Sequence, residues 1–362
     1  SDWFRHGHDG DKVYDSVILH IVGEADGEVT RTNGEVIPQM IVSCPERIKM
    51  HYYELCVSDC YPACYPILRS LPKLTVHSWL SALQTERLEQ KAKLIGARLE
   101  HCNNNWEDVF FITLARNYGF GLNGDAFEAW AELLPFRALD KHRNDLFQIE
   151  ALFYGMAGLF EDTFLKEEQK DEYCLRLSKE FHYLQRKFEI FRVMDATLWR
   201  FLRLRPDNFP HIRLAQLAYL YQKGDKLFSR LLEAETLAEV RILLSTRTSV
   251  YWENHYIFGR TSPQREKLLG EQSKDLIIIN TVVPFLYTYG LHKADEGMCE
   301  RAGRFLEELK AENNHIIRSW SDAGLPVASA ADSQALIQLQ KEYCDKRKCL
   351  YCRFGYEYLR KK

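Results

Sequence analysis

The chain changes its hydrophobic period near residue 46. Before that point, apolar residues fall in short β-branched runs; after it they recur every three or four positions almost to the end. Residues 17–22 (Val-Ile-Leu-His-Ile-Val) predict a buried strand. Asn33-Gly34 is a strong hairpin signal between the segments 29–32 and 35–38, and 39–42 predicts a third strand. Two or three strands alone bury too little to stand by themselves. They are expected to complete a sheet whose other strands lie elsewhere, or to pack on helices.

From residue 46 the pattern is helical. Residues 76–100 carry Trp79, Leu83, Leu88, Ala92, Ile95 and Leu99 at helical spacing. Further helices are predicted over 106–117, 125–133, 139–159, 235–244 and 295–313, with 172–203 as the longest, stopped by Pro206. Pro210 starts a helix at 211–222, and Pro284 is expected to kink or interrupt the one at 275–289. Asp332 is read as the cap of a last helix, 333–343. The expected fold is α+β: a β region at 1–45 that ends a larger domain, a helical body at 46–330, and a C-terminal helix with a cysteine-rich basic tail at 331–362.

Composition narrows this picture only a little. With 362 residues, 46% of them hydrophobic, the chain has ample material for a large core. The 48 Lys and Arg nearly balance 51 Asp and Glu, so nothing pulls the whole molecule to nucleic acid or to an anionic membrane, although a local basic groove stays open. The longest apolar run, 276–286, is broken by Asn280 and Pro284 and is too short to span a bilayer. Single cysteines scattered along helical stretches point to a reduced, cytoplasmic protein. The phosphate-loop, dinucleotide, zincin and hydrolase-elbow motifs do not occur. Oligomeric state is not set by the sequence.

The sharpest chemistry is Cys344-x4-Cys349-x2-Cys352, set among Lys346, Arg347, Lys348 and Arg353. Thiolates at such spacing bind zinc or edge an iron–sulfur cluster, and adjacent cations favour the thiolate. A fourth ligand must come from elsewhere, with Cys64 or Cys299 as candidates; otherwise the three are reduced structural thiols or form a local disulfide. The tail is similar to the cluster loop of helical DNA glycosylases, without its fourth cysteine downstream. Cys56-x3-Cys60-x3-Cys64 would align on a helix, but Pro62 cuts that helix, so these read as buried single thiols.

Two further groups carry possible chemistry. Asp2, His6, His8 and His20 crowd the N-terminus, with Asp15 nearby. They are candidate catalytic residues around Mg2+ or Mn2+; the alternatives are a structural zinc site on the imidazoles, or a polar turn and a hydrogen-bonded core histidine. Arg200, Arg203, Arg205 and Arg213 bracket a Pro-Asn-Phe-Pro joint and are candidate phosphate ligands; a salt-bridge network with Asp207 and nearby glutamates is the alternative.

Long strings in this chain resemble the DUF2851 family, a family of unknown function. They include Arg87-Leu-Glu-Gln-Lys91, Lys141-His-Arg-Asn-Asp-Leu-Phe-Gln-Ile-Glu150, Arg205-Pro-Asp-Asn-Phe-Pro-His-Ile-Arg213 and Ile279-Asn-Thr-Val-Val-Pro-Phe285. The resemblance implies a preceding stretch, absent here, with an Asp and a Glu-x-His similar to the PD-(D/E)xK nuclease signature. It thus implies a metal-dependent nucleic-acid hydrolase whose carboxylates lie upstream of residue 1. The alternative is a non-enzymatic helical scaffold, or a module that binds nucleic acid or protein.

Overall fold

The computed structural model describes residues 2–361. Helices take up 62% of the residues and strands 4%, the strands in two two-stranded sheets. The fold is therefore α+β with a dominant helical body. The chain divides into two compact units: Ser1–Trp79 with His315–Pro326 and Ile337–Lys362, and Leu80–Asn314 with Val327–Leu336. Residues 1–45 and 337–362, assigned to separate regions on sequence, fall in the same unit.

In the first unit, strand His20–Val22 pairs in parallel with Gln39–Ile41. A parallel pair cannot be closed by a tight hairpin. The Asn33-Gly34 turn does form within the connection, with Gly34 at φ 84° and the Arg31 N–H on the Glu35 carbonyl at 2.9 Å. It is flanked by a single antiparallel bridge, Thr30 to Val36, rather than by two strands. The predicted burial of 17–22 is not realised: Ile18 and Ile21 are exposed, as is Met40 opposite. The local core is instead Trp3, Val29 and Ile37, with Tyr14 and Val17 packed on it. Helix Glu46–Val57 carries a second, C-terminal helix that the pattern did not predict, Arg353–Arg360. The latter buries Phe354, Tyr358 and Leu359; the Leu359 carbonyl meets His51 Nδ1 at 3.1 Å, and the Tyr358 hydroxyl donates to Glu54 at 3.0 Å.

The second unit is built around helix Leu146–Met156, in which every residue from Ile149 to Met156 is buried. A helix apolar all round must sit inside a core. It packs on Glu172–Lys187 and Pro210–Lys223. Its start is fixed by Asp145, which accepts the N–H groups of Phe147 and Gln148.

The long helix predicted over 172–203 ends at Lys187. Beyond it the backbone finds better partners outside the helix. The Met194 N–H donates to the Met156 carbonyl at 2.9 Å, and the Trp199 indole to the Ala157 carbonyl at 2.9 Å. Asn123 pairs with both backbone groups of Arg200, at 2.8 Å each. These bonds satisfy carbonyls that the neighbouring helix leaves orphaned at its end, and they outweigh the local period.

Pro284 interrupts its helix as expected, through a wide π turn, Ile278–Val282, between Glu271–Ile277 and Val283–Lys293. Proline has no N–H for the carbonyl four residues back, which is that of Asn280. The Asn117 amide takes that carbonyl at 3.0 Å, and the Thr281 hydroxyl at 2.7 Å. The last predicted helix is Ala330–Gln338, followed by a π turn, Leu339–Cys344. Its cap is Ser329 rather than Asp332. Ser329 Oγ accepts the Asp332 N–H at 3.3 Å while Asp332 reaches back to the Ser329 N–H at 3.1 Å, a capping box.

Gly155 gives a test in which two effects oppose. Alanine is the better helix former by about 1 kcal/mol. A Cβ at Gly155, however, would fall on the buried Phe181 ring. Overpacking of that kind costs about 1–3 kcal/mol. Gly155→Ala is expected to lower stability in denaturant titrations; a gain would show that the contact is slack.

Candidate functional site, a thiol-lined cavity and an adjoining aromatic groove

The π turn at Leu339–Cys344 brings Cys344 round, and the following turn passes through Arg347 in the left-handed region at φ 51°. Arg347 then donates to the Cys56 carbonyl at 2.7 Å, and Asp345 accepts from the Tyr61 hydroxyl. These ties lay the chain's end on residues 56–64. The short 3-10 turn Cys349–Tyr351 packs so closely on the last helix that a Cβ at Gly355 would meet the Cys349 carbonyl.

The result is one cavity of about 100 Å3 lined by both cysteine clusters: Cys56, Cys60 and Cys64 with Cys344, Cys349 and Cys352. All six are free thiols. Of the first cluster only Cys64 is buried, so the reading of three buried single thiols is corrected. Cys299, the other candidate for a fourth ligand, lies in the second unit with its thiol on the Tyr287 carbonyl.

Four of the six stand apart. Burial pushes the Cys64 and Cys344 thiols well up, and it also raises Cys349 and Cys352. Every pairing among these four contributes: Cys64 feels Cys352 and Cys349, Cys344 feels the other three, and Cys352 feels Cys349. Cys56 raises Cys349 as well. The Cys352 sulfur is held down against its burial by the backbone N–H groups of Gly355 and Phe354, at the start of the last helix, and by the Trp79 indole. That indole N–H is buried and has no other acceptor. Among the described residues, no three His, Cys, Asp or Glu side chains converge tightly enough to hold a single metal ion.

Cys352 also borders an open groove lined by Trp79, Tyr351, Arg353 and Tyr356. Tyr351 is 78% exposed and Leu350 57%. Arg353 and Arg360 both lie over the Tyr356 ring, at 5.6 and 5.3 Å from its centroid. Trp79 stands edge-on to Tyr343 at 5.5 Å.

The N-terminal candidates are partly gathered. His8 and His20 both pack on Trp3, with ring centroids 5.5 and 5.1 Å away, and His6 lies 5.9 Å from His8. His20 shares a hydrogen bond with the Gln39 amide at 3.2 Å. The carboxylates go elsewhere. Asp2 pairs with Arg5 at 2.6 Å in solvent, and Asp15 accepts the Thr32 N–H and hydroxyl at 2.9 and 2.6 Å, which hold it below the usual carboxylate range.

The arginines separate. Arg200, Arg203 and Arg205 are exposed. Arg213 is buried, donates to Gln216 and Asn208 at 2.8 and 2.5 Å, and lies 4.4 Å over the Phe120 ring. Burial lowers it to about 10. Asp207 pairs with Arg265.

Sequence reasoning missed a pair of enclosed ionisable groups in the second unit. Burial raises Glu150 to about 7, although the hydroxyls of Tyr173 and Ser249 and the Trp252 indole oppose this. Burial lowers His211 to about 3. The signal was a glutamate within the apolar run 149–156. Glu150 and His211 are 0% and 2% exposed, so their charge states bear on stability.

Fold and site together define a mainly helical α+β protein with a thiol-lined cavity. The chain belongs to the DUF2851 family, described as a protein of unknown function, whose model matches residues 1–315. The match includes Cys64 and stops short of Cys344, and it does not bear out the expected loss of a leading stretch. No curated protein and no solved structure matches.

The buried carboxyl makes a signed prediction. Between pH 4.5 and about 7 Glu150 is ionised in the unfolded chain and protonated in the folded one. Its contribution is therefore full at low pH and is lost as pH rises, on the order of 3 kcal/mol across that window. His211 slopes the other way below pH 6.5 but is shared by wild type and variant. Glu150→Gln is expected to unfold at a higher temperature than wild type at pH 8 and at nearly the same temperature at pH 4. A gap that does not grow with pH would refute it.

Proposed function

We propose that this chain is a nucleic-acid-binding protein that holds single-stranded nucleic acid in the groove of Trp79, Tyr351, Arg353 and Tyr356. The observation that carries the reading is an exposed aromatic surface laid beside a basic run. Residues 341–361 hold seven Lys or Arg, among them Lys346, Arg347 and Lys348, against Glu342, Asp345 and Glu357. Glu342 and Glu357 are already paired, with Lys346 and Arg353. Unpaired bases stack on aromatic faces whatever their sequence, while cations track the backbone. The formal charge of −3 confines any such attraction to this patch.

Tyr351→Ala removes one stacking platform, worth roughly 1–3 kcal/mol. About tenfold weaker binding of a labelled single strand is expected by fluorescence anisotropy. Arg353→Ala should weaken binding and flatten its salt dependence. Equal affinity for single strand and duplex, unchanged by Tyr351→Ala, would dismiss the groove.

A second reading keeps the metal-dependent nucleic-acid hydrolase, with Mg2+ or Mn2+ at the N-terminus. Its support is the gathering of His6, His8 and His20 about Trp3 and Tyr14. It wants a carboxylate, because Asp2 and Asp15 are engaged elsewhere. Cleavage of the bound strand on adding Mn2+, abolished in His8→Ala, would favour it. Binding without cleavage would leave the groove reading alone.

A further inference from the structure

We infer that Cys64, Cys344, Cys349 and Cys352 are the four ligands of an iron–sulfur cluster seated in the thiol-lined cavity. The four come together from chain segments some 280 residues apart, and the cavity they face is bordered by no carboxylate or imidazole. An all-thiol donor set selects zinc or iron–sulfur chemistry and disfavours Mg2+ or Ca2+.

Size then decides between the two. Four thiolates on one zinc sit about 2.3 Å from it, which sets their sulfurs about 3.8 Å apart and leaves no cavity between them. Among the described residues no group of three such side chains is placed to hold one metal ion. The thiols instead ring a space of about 100 Å3. By this measure one water needs roughly 10–15 Å3, so the space suits a group of several atoms. In a cluster, inorganic sulfides fill the middle, and the protein thiolates attach to different irons and stand wider apart. The spacing Cys344-x4-Cys349-x2-Cys352 is that of plant-type ferredoxins, which likewise take their fourth cysteine from a distant segment.

The surroundings fit a ligand sulfur that carries charge. Cys352 is the N-cap of helix Arg353–Arg360, and the Phe354 and Gly355 N–H groups there favour its thiolate. The Trp79 indole N–H, buried and with no other acceptor, lies beside it. Hydrogen bonds to cluster sulfurs are a main control of their stability and potential. Cys64 is the buried thiol of the first cluster; Cys60, exposed, and Cys56, half-buried, are left out of the ligand set. The centre does not rest on the nucleic-acid reading, and each can fail without the other.

The full chain should be purified without oxygen and analysed for iron, acid-labile sulfide and zinc. Expected are equal iron and sulfide, about two or four of each per chain, with broad visible absorption that bleaches on reduction by dithionite. Cys64→Ser, Cys344→Ser, Cys349→Ser and Cys352→Ser should each lose the iron, whereas Cys56→Ser and Cys60→Ser keep it, with helix content followed by circular dichroism. A readout independent of variants is thiol alkylation of the wild-type protein. Four cysteines, identified by mass spectrometry as these four, should resist alkylation until the iron is chelated. Zinc without sulfide, neither metal with all ten thiols alkylated, or iron kept in Cys64→Ser and lost in Cys56→Ser would overturn the assignment.

Discussion

The cavity exists only because the end of the chain is tied to residues near its beginning. Arg347 donates to the Cys56 carbonyl across 291 positions, and Tyr61 to Asp345 across 284. Closing a loop that long costs entropy, but the cost grows only with the logarithm of its length. It is offset chiefly by apolar burial: Phe354, Tyr358 and Leu359 of the last helix leave water within the first unit, beside buried Leu55 and Leu68. The polar ties then choose the register. His51 and Glu54 bind the last helix at its far end, at Leu359 and at Tyr358 with Lys361, so the helix cannot slide without leaving buried groups unpaired. A fixed helix fixes Cys352 at its N-terminus, and Gly355 lets the Cys349 turn lie against it.

What the sequence made legible was whatever is local. The change of period, the Asn33-Gly34 turn, the helix start at Pro210 and the break at Pro284 all rest on contacts within a few residues, and they stand in the structure. The helix predicted to Arg203 failed at Lys187 because its continuation had carbonyl partners at Met156 and Ala157 that no local pattern displays. The cysteines show the same limit more sharply. Pro62 correctly argued against a helical stripe of Cys56, Cys60 and Cys64, and so hid that a bent segment could still face one cavity. Cys64 was named as one of two possible fourth ligands, but only tertiary structure separates it from Cys299. Arg213 illustrates the converse: residue type suggested phosphate, while burial on Phe120 and bonds to Gln216 and Asn208 give it a structural partner set.

Polar groups are divided between the units by how their cost is met. In the second unit, Glu150 and His211 escape the penalty of a buried charge by staying neutral near pH 6, the acid protonated and the base not. Asn117 meets the carbonyl that Pro284 strands. In the first unit Cys64 and Cys352 are buried and Cys344 and Cys349 half-buried, and burial again favours the neutral thiol. Four neutral thiols make few hydrogen bonds and pack as small apolar groups, which would account for their burial. It does not account for a cavity at their centre, since apolar side chains normally close such space. The cavity is what asks for a ligand.

A cluster and a nucleic-acid groove that share Cys352 would also interact electrostatically. Four thiolates and bridging sulfides would leave a net negative charge in a cavity that Arg347 lines, with Arg353 next to Cys352 on the groove. Those cations would then serve two anions, the cluster on one side and phosphate on the other. At the short separations inside a protein such charges are screened far less than at a surface. Loading the cavity should therefore soften the pull of the groove on phosphate and leave base stacking on Tyr351 untouched. Selectivity would shift from charge, which any polyanion satisfies, to stacking, which requires unpaired bases. That division of labour suits a chain whose overall charge is close to balanced and whose exposed aromatic groove is confined to one basic corner.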